Sequence, residues 1–134
     1  MKTAHGPWLL IDDVRHYPCD DIARDGRAGL RALREGTYTG LLLDYQLSTS
    51  SDEPNGLDVL EHAWHRDWLP DFVKVVSTHQ YGAKRIEEFL ASNDYMFVDD
   101  SLDCEHFILQ GYWSKQENTE PAKPQRKRRV TVKL

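Results

Sequence analysis

The sequence has few cysteines and no long apolar run. Its two cysteines, Cys19 and Cys104, lack the spacing of metal-binding or redox motifs, so reduced thiols are the default expectation. No apolar stretch approaches the roughly 20 residues that a transmembrane helix needs. The first apolar run, residues 8–11, is closed by two aspartates, which is unlike a secretory signal. These absences predict a cytoplasmic protein without a membrane span.

Basic charge is scarce over most of the chain. Six of the 17 basic residues lie in residues 121–134, which contain no acid, so that 11 basic residues face 22 acidic ones in residues 1–120. The strong excess of acid in residues 1–120 argues against duplex nucleic acid as the principal ligand. The basic segment could bind nucleic acid, bind an acidic partner, or fold back on the acidic body of the same chain.

The length and composition fit one folded domain. A chain of 134 residues can bury a core but is too short for two ordinary domains. Its 40% apolar and 29% charged residues are globular values. We predict one α/β domain over residues 1–116, followed by a disordered basic tail over residues 117–134.

Apolar runs that end in acid are the main signal for strands. Leu41, Leu42 and Leu43 precede Asp44, and a continuous run of this kind is typical of a strand buried on both faces of a parallel sheet. Residues 8–11 end in the same way, in two aspartates. Further strands are predicted at residues 21–24, 72–76 and 95–98.

Helices are predicted between these strands. They cover residues 26–36, 57–68, 83–91 and 102–113, with Asn55 as an N-cap and Gly36 as a stop signal. Strands alternating with helices indicate a parallel sheet with helices on both faces. With right-handed crossovers, five such units predict a flavodoxin-like, doubly wound fold with strand order 2-1-3-4-5.

Polar side chains follow three strands that are neighbours in this order. Because the carboxyl ends of parallel strands share one edge, these side chains should line one crevice. Carboxylates packed together need a cation, and oxygen ligands favour Mg²⁺. A carboxylate beside Mg²⁺ can act as a nucleophile toward a phosphoryl group. The side chains concerned are Asp12, Asp13, Asp44, Ser77 and Thr78.

This set resembles the receiver domain of two-component signalling, and most of all its cyclic-phosphate-processing branch. The resemblance covers roughly residues 8–90. It is carried by an L-x-D-D-V-R strand exit at residues 10–15, L-D-x-x-L at 43–47, G-x-D-V-L at 56–60 and the turn at 77–82. The resemblance implies metal binding at Asp12 and Asp13, a phosphoacceptor at Asp44, and a switch hydroxyl at Ser77.

The sequence departs from that family at two places. A receiver carries a lysine after its last strand, whereas here Val98 is followed by Asp99 and Asp100. Arg15 or Lys84 could supply the missing cation. The cyclic-phosphate-processing branch typically reads L-D-H-D-L around its central aspartate, whereas Tyr45 and Gln46 stand at the third and fourth of those positions here.

These features leave two main classes of function and one further option open. One is a regulatory receiver without an effector domain. It binds Mg²⁺, is phosphorylated on Asp44 with Thr78 and Arg15 near the phosphate, and binds a protein through the surface of the fourth helix and fifth strand. The other is a degenerate receiver that works only as an adaptor or inhibitor. A third option is a domain that binds or processes a phosphate ligand. Catalysis would extend at most to self-phosphorylation and autodephosphorylation.

Aromatic residues near element ends are candidates for a partner surface: Trp68, Tyr81, Tyr112 and Trp113. His62 and His65 lie three apart on one predicted helix, but no third ligand is evident nearby, so a solvated helix face is favoured. His79 lies close to the predicted crevice. The expected partner is another protein: a kinase, an effector or an inhibited target.

Overall fold

A computed structural model describes residues 1–50 and 52–117. Over these residues the chain forms three helices and one mixed sheet of seven strands. The elements are β1 (Lys2–Thr3), β2 (Trp8–Ile11), β3 (Asp21–Ala23), α1 (Gly26–Glu35), β4 (Gly40–Leu43), α2 (Gly56–His65), β5 (Phe72–Val75), α3 (Gln80–Ser92), β6 (Tyr95–Asp103) and β7 (Ile108–Lys115). No helix in this part of the chain is long and apolar enough to cross a membrane. The predicted disordered tail lies outside it, apart from Glu117.

The predicted α/β class is confirmed, but the five-stranded parallel sheet is not. Strands β3, β2, β4 and β5 are adjacent and parallel, in the predicted relative order. The position beside β5 belongs to β7, which is antiparallel to it. The full order is β1-β6-β7-β5-β4-β2-β3, so the sheet is mixed.

The predicted helix at residues 102–113 is wrong. These residues complete β6, turn, and return as β7 in an antiparallel hairpin. Gly111 has φ of 82°, a left-handed conformation that glycine adopts easily and that a helix does not contain. Tyr112 and Ser114 are both buried, which is the two-residue period of a strand. The hairpin also pairs the backbone groups of both strands.

All three helices pack on one face of the sheet, which corrects the prediction of helices on both faces. The first core cluster joins helix residues such as Leu33, Leu60 and Ile86 to Leu9 and Leu41 of the sheet. The second cluster, on the opposite face, is formed without helical residues. Its buried members are Ala4, Trp8, Leu10, Leu42, Leu102, Cys104 and Tyr112.

The sheet curls to enclose this second cluster. Only residues 4–7 separate β1 from β2, yet the two strands are five positions apart in the sheet. Five strand spacings in a flat sheet cover roughly 24 Å, whereas an extended chain from Thr3 to Trp8 reaches only about 18 Å. The sheet must therefore bend, so that the hairpin and the N-terminal segment cover the face that carries no helix.

Helix boundaries follow their caps. Asn55 caps α2 as predicted and forms a reciprocal capping box with Asp58. The helix ends at His65 rather than Trp68, because Asp67 is left-handed with φ of 60°. Helix α3 begins at Gln80, earlier than predicted, since the His79 side chain accepts a hydrogen bond from the Gly82 N–H. His79 is thereby fixed at the start of α3, in the turn that follows β5.

Candidate functional site

The side chains predicted to share a crevice lie together at the carboxyl ends of β2, β4 and β5. A cleft of about 160 Å³ opens there. It is lined by Asp13, Val14, Arg15, Asp44, Gln46, Ser77, Thr78 and His79. Asp12 is not one of the lining residues, but one of its carboxylate oxygens lies within 4.8 Å of oxygens of Asp13 and Asp44. The parallel strands place these residues as the sequence predicted, although the sheet around them differs.

Asp12 is fully buried, with 0% of its surface exposed. Its Oδ1 accepts hydrogen bonds from the backbone N–H groups of Val14 and Arg15, each at 3.0 Å. Its Oδ2 accepts no hydrogen bond from the described residues, although the Arg15 Nε lies 3.1 Å away in an ion pair. A buried carboxylate oxygen without a hydrogen bond is rare and costly unless a cation neutralises it.

Three carboxylates form a group of metal-binding size. One oxygen each from Asp12, Asp13 and Asp44 lies within 4.8 Å of the others. Asp44 is 4% exposed, and its Oδ1 accepts the N–H of Tyr45 at 2.8 Å. Like charges this close repel strongly in a poorly solvated place. The oxygen-only donor set fits a hard divalent cation such as Mg²⁺.

Arg15 bridges the two buried carboxylates. Its Nε contacts Asp12, its Nη2 lies 3.4 Å from Oδ1 of Asp44, and its Nη1 donates to the carbonyl of Val76 at 2.6 Å. Burial lowers the pKa of Arg15, but attraction to Asp12, a hydrogen bond with Tyr17 and attraction to Asp44 raise it above its ordinary value. The guanidinium is therefore a permanent positive charge within the acidic group.

Arg24 fixes the backbone that carries these groups. Its Nη1 donates to the carbonyl of Asp12 at 3.2 Å and to the carbonyl of Arg15 at 2.6 Å. It follows β3, the neighbour of β2 in the sheet. Arg24 was not among the predicted site residues. The available signal was an arginine just beyond a strand that pairs with the strand carrying Asp12 and Asp13.

The turn after β5 supplies the remaining polar groups. Ser77 Oγ accepts the N–H of His79 at 3.0 Å. His79 Nδ1 accepts the N–H of Gly82 at 3.0 Å, so a neutral His79 carries its ring proton on Nε2. Ser77, Thr78 and His79 all line the cleft. Ser77 thus has both the predicted place in the cleft and an ordinary turn contact.

Tyr45 joins the exit of β4 to the start of α3. Its ring lies 4.9 Å from that of His79, centroid to centroid. A Cβ at Gly82 would come within 2.1 Å of the Tyr45 ring, so only glycine allows this approach without rearrangement. The Asn55 Nδ2 donates to the tyrosine hydroxyl at 3.4 Å. Tyr45, which replaces a histidine of the family pattern, packs beside the site rather than leaving a gap.

Arg15 and Lys84, the two candidates to replace the missing lysine, lie at different distances from the cleft. Arg15 is in the acidic group, whereas Lys84 is exposed and is not among the cleft-lining residues. Asp99 and Asp100 lie on β6, and β7 separates that strand from β5. Their charge is therefore not delivered to the cleft. Among the described residues, the three aspartates are the only group of metal-binding size, and His62 and His65 do not belong to it.

The four candidate partner residues differ in accessibility. Tyr81 is 61% exposed on α3, and Trp68 and Trp113 are partly buried against the helix-side core. Tyr112 is 1% exposed, which corrects its selection, since its side chain belongs to the second core. The predicted binding surface between a fourth helix and fifth strand does not form in the described part of the chain, because β7 replaces that helix.

A family comparison adds one positive finding. The model of the cyclic-phosphate processing receiver domain matches residues 8–92. No curated protein and no solved structure matches the chain. The matched range runs from the first residue of β2 to the last residue of α3. It contains the whole cleft and ends before the hairpin.

Proposed function

The chain belongs to the cyclic-phosphate processing receiver domain family, and we propose that it works as a receiver-like regulatory domain. In this proposal, Asp12, Asp13 and Asp44 hold Mg²⁺, and Asp44 accepts a phosphoryl group. The modified domain then binds another protein. The observation that carries the proposal is the three-carboxylate group, in which the buried Asp12 Oδ2 is ion-paired with Arg15 but accepts no hydrogen bond from the described residues.

The donor set supports Mg²⁺ for chemical reasons. Mg²⁺ prefers oxygen ligands, keeps several waters, and is commonly held by only one or two carboxylates together with phosphate oxygens. Asp12 Oδ2 lies in the interior, whereas Asp13 is partly exposed at the cleft. That arrangement offers carboxylates from the protein side and leaves the open side for water and phosphate. When bound, the cation would neutralise charge that develops on a transferring phosphoryl group.

The cleft supports a phosphoryl group better than a whole nucleotide. Its volume of about 160 Å³ is below the roughly 300–1,000 Å³ of pockets that enclose drug-sized ligands. In the proposed step, a carboxylate oxygen of Asp44 attacks the phosphorus of a phosphodonor, and the bond to the donor's oxygen breaks. Arg15 and the hydroxyls of Ser77 and Thr78 line the volume that receives the phosphoryl oxygens.

The proposed output is a change at the start of α3. His79 lines the cleft and also caps this helix. Tyr81 lies in the first turn, where its hydroxyl accepts a hydrogen bond from Arg85 at 2.8 Å. Charge added at Asp44 would therefore act close to the exposed ring of Tyr81 and the Arg85 that contacts it. We propose this surface as the partner site in place of the surface expected from a fourth helix.

A second candidate is a degenerate receiver that only binds a protein. One observation favours it: Arg15 already contacts both Asp12 and Asp44, so the acidic group has a counter-charge without a metal. A phosphate-ligand site is the remaining alternative. It is supported by the family's name and by a guanidinium, two hydroxyls and an imidazole around one small cleft.

Intact mass spectrometry after incubation with Mg²⁺ and a small acyl-phosphate donor tests the proposal. We expect one phosphoryl adduct on the wild-type protein and on Asp71→Asn, which removes an exposed aspartate that does not line the cleft. Asp44→Asn should show none. Absence of an adduct on the wild type, together with no Mg²⁺-dependent rise in melting temperature, would contradict the proposal and leave the protein-binding alternative.

A further inference from the structure

We propose that Arg15 is an internal counter-cation that Mg²⁺ displaces from Asp12, and that the released guanidinium then binds the phosphoryl group. This inference rests on the proposed function, since it concerns the same site. It adds an exchange of cations: the acidic group holds a guanidinium in one state and a metal in the other. Arg15 thus changes its partner as the site fills.

The two cations compete for one oxygen. Asp12 Oδ1 is committed to the N–H groups of Val14 and Arg15, which leaves Oδ2 as the oxygen available to a metal. The Arg15 Nε already lies 3.1 Å from Oδ2, and Nη2 reaches Asp44. A divalent ion among these carboxylates would meet the guanidinium at close range, where like charges repel strongly.

The side chain of Arg15 can move while its backbone stays in place. Its backbone N–H is held by Asp12, and its carbonyl accepts from Arg24 at 2.6 Å. The side chain is 31% exposed, whereas that of Asp12 is 0% exposed. Of these two side chains, only that of Arg15 therefore has solvent on one side. Displacement needs rotation of a long, flexible side chain and leaves the turn that presents Asp12 intact.

The third contact of Arg15 indicates where the guanidinium goes. Its Nη1 donates to the carbonyl of Val76 at 2.6 Å, and Val76 directly precedes Ser77. Loss of the Asp12 contact alone leaves the guanidinium beside the Ser77–Thr78 turn, in the cleft that Asp44 also lines. A planar guanidinium there can bind two phosphoryl oxygens at once. Arg15 would thereby supply the positive charge that β7 does not bring to this edge of the sheet.

Metal affinity tests this exchange directly. Isothermal titration of Mg²⁺ is compared among the wild type, Arg15→Met and Arg27→Met. Arg27 is a matched control because it loses the same charge, from an exposed ion pair with Glu53 outside the cleft. We expect Arg15→Met to bind Mg²⁺ about tenfold more tightly than Arg27→Met. Its affinity for beryllium trifluoride, used as a phosphoryl analogue with Mg²⁺, should instead fall.

The outcomes separate the inference from the proposed function. If the wild type and Arg27→Met bind Mg²⁺ and Arg15→Met binds it no more tightly, the exchange is wrong and the proposed function stands. If only Arg15→Met binds Mg²⁺, the counter-cation role stands and the Mg²⁺-dependent function is wrong. No binding by any of the three proteins would contradict both.

A second variant covers the case in which Arg15→Met does not fold, as judged by circular dichroism. Arg15→Lys keeps the charge, but its single nitrogen cannot reproduce three contacts from separate guanidinium nitrogens. We expect Arg15→Lys to bind Mg²⁺ a few-fold more tightly than the wild type and to bind beryllium trifluoride more weakly than the wild type. A Mg²⁺ affinity equal to the wild type's would overturn the inference.

Discussion

Residues 8–92 and residues 95–115 use the same sheet in different ways. The first region supplies every residue that lines the cleft, at the ends of parallel strands whose helices cover one face. The second region is the β6–β7 hairpin, which contributes Leu102 and Tyr112 to the opposite core. The family model matches only the first region. The comparison indicates that the chemistry of the site and the closure of the fold are carried by different parts of the chain.

The difference between the two regions also explains why the positive side chain at the site is an arginine from the exit of β2. In a receiver, the last parallel strand brings a lysine to the carboxyl edge. Here the strand beside β5 is antiparallel. Lys74, on β5 itself, donates to the carbonyls of Gln110 and Gly111 in that neighbouring strand, each at 2.9 Å. Lys74 is thus used to hold the hairpin. Arg15, from the exit of β2, provides the positive charge instead.

The largest expected effect breaks the hairpin without touching the cleft. Tyr112→Ala removes a fully buried ring from the second core and should lower the free energy of unfolding by about 3–5 kcal/mol. Mg²⁺ affinity of the folded protein should stay unchanged. Urea unfolding and Mg²⁺ titration measure the two quantities. Tyr112→Phe is the control, for which a small loss of unfolding free energy is expected. If Tyr112→Ala lowered Mg²⁺ affinity as well as stability, the two regions would not be separate.

A second prediction concerns the contact between Tyr45, which follows β4, and helix α3, inside the region of residues 8–92 that carries the cleft. Gly82→Ala places a Cβ within 2.1 Å of the Tyr45 ring and should cost about 1–3 kcal/mol by overpacking. In a Tyr45→Ala background the sign should reverse, because alanine is favoured over glycine in a helix by about 1 kcal/mol. A double-mutant cycle from urea unfolding gives the coupling. Equal costs in both backgrounds would contradict the contact.

The third prediction alters the site while preserving the fold. Asp13→Asn removes a partly exposed carboxylate of the acidic group. Mg²⁺ affinity should fall at least about tenfold, or ~1.4 kcal/mol, because one charged ligand is lost. The free energy of unfolding without metal should change by about 0.5 kcal/mol or less. Asp71→Asn serves as the charge-matched control, and equal Mg²⁺ affinity for the two variants would remove Asp13 from the site.

The smallest expected effect is a pH dependence in the cleft-bearing region. The Tyr38 hydroxyl donates to Asp21 at 2.6 Å, and burial together with this hydrogen bond raises the pKa of Tyr38 to about 12. A pKa raised from about 10 in the unfolded chain gives stability that is complete below pH 10 and is lost as the pH rises toward 12.

Tyr38→Phe should therefore be less stable than the wild type by about 1 kcal/mol at pH 8. The difference should shrink between pH 10 and 12, because only the wild type loses the phenol's hydrogen bond there. Urea unfolding at several pH values measures it. A constant difference across this range would show that Tyr38 does not titrate as its contacts with the fold require.

The sequence was informative where local pattern and fold agree. The leucines before Asp44 and the two aspartates after Ile11 located neighbouring strands, and parallel pairing then brought their acids together. Residues 102–113 could not be assigned in this way, because short apolar runs fit a helix or a strand equally well. Gly111 was the local sign against a helix. The strands with which β7 pairs, and hence the curl of the sheet, depend on contacts between residues distant in sequence.

The site shows the same division. The identity of Asp12, Asp13, Asp44 and Ser77 as neighbours followed from the strand order. The contacts of Arg15 with Val76 and of Arg24 with the Asp12 carbonyl depend on how long side chains cross between strands, which spacing does not specify. Neither could sequence spacing reveal that Tyr45 packs on Gly82 and His79.

Paramagnetic broadening by Mn²⁺ tests the central claim most directly, because Mn²⁺ accepts the same oxygen ligands as Mg²⁺. Amide NMR signals are followed as Mn²⁺ is added, and an excess of Mg²⁺ then competes. A metal site in the cleft predicts that broadening is strongest at residues 12–15, 44–46 and 76–79, is reversed by Mg²⁺, and is weakest at residues 37–39, which precede β4 at the opposite edge of the sheet. Broadening that is strongest at other acidic surfaces, or that Mg²⁺ does not reverse, would contradict a metal site in this cleft.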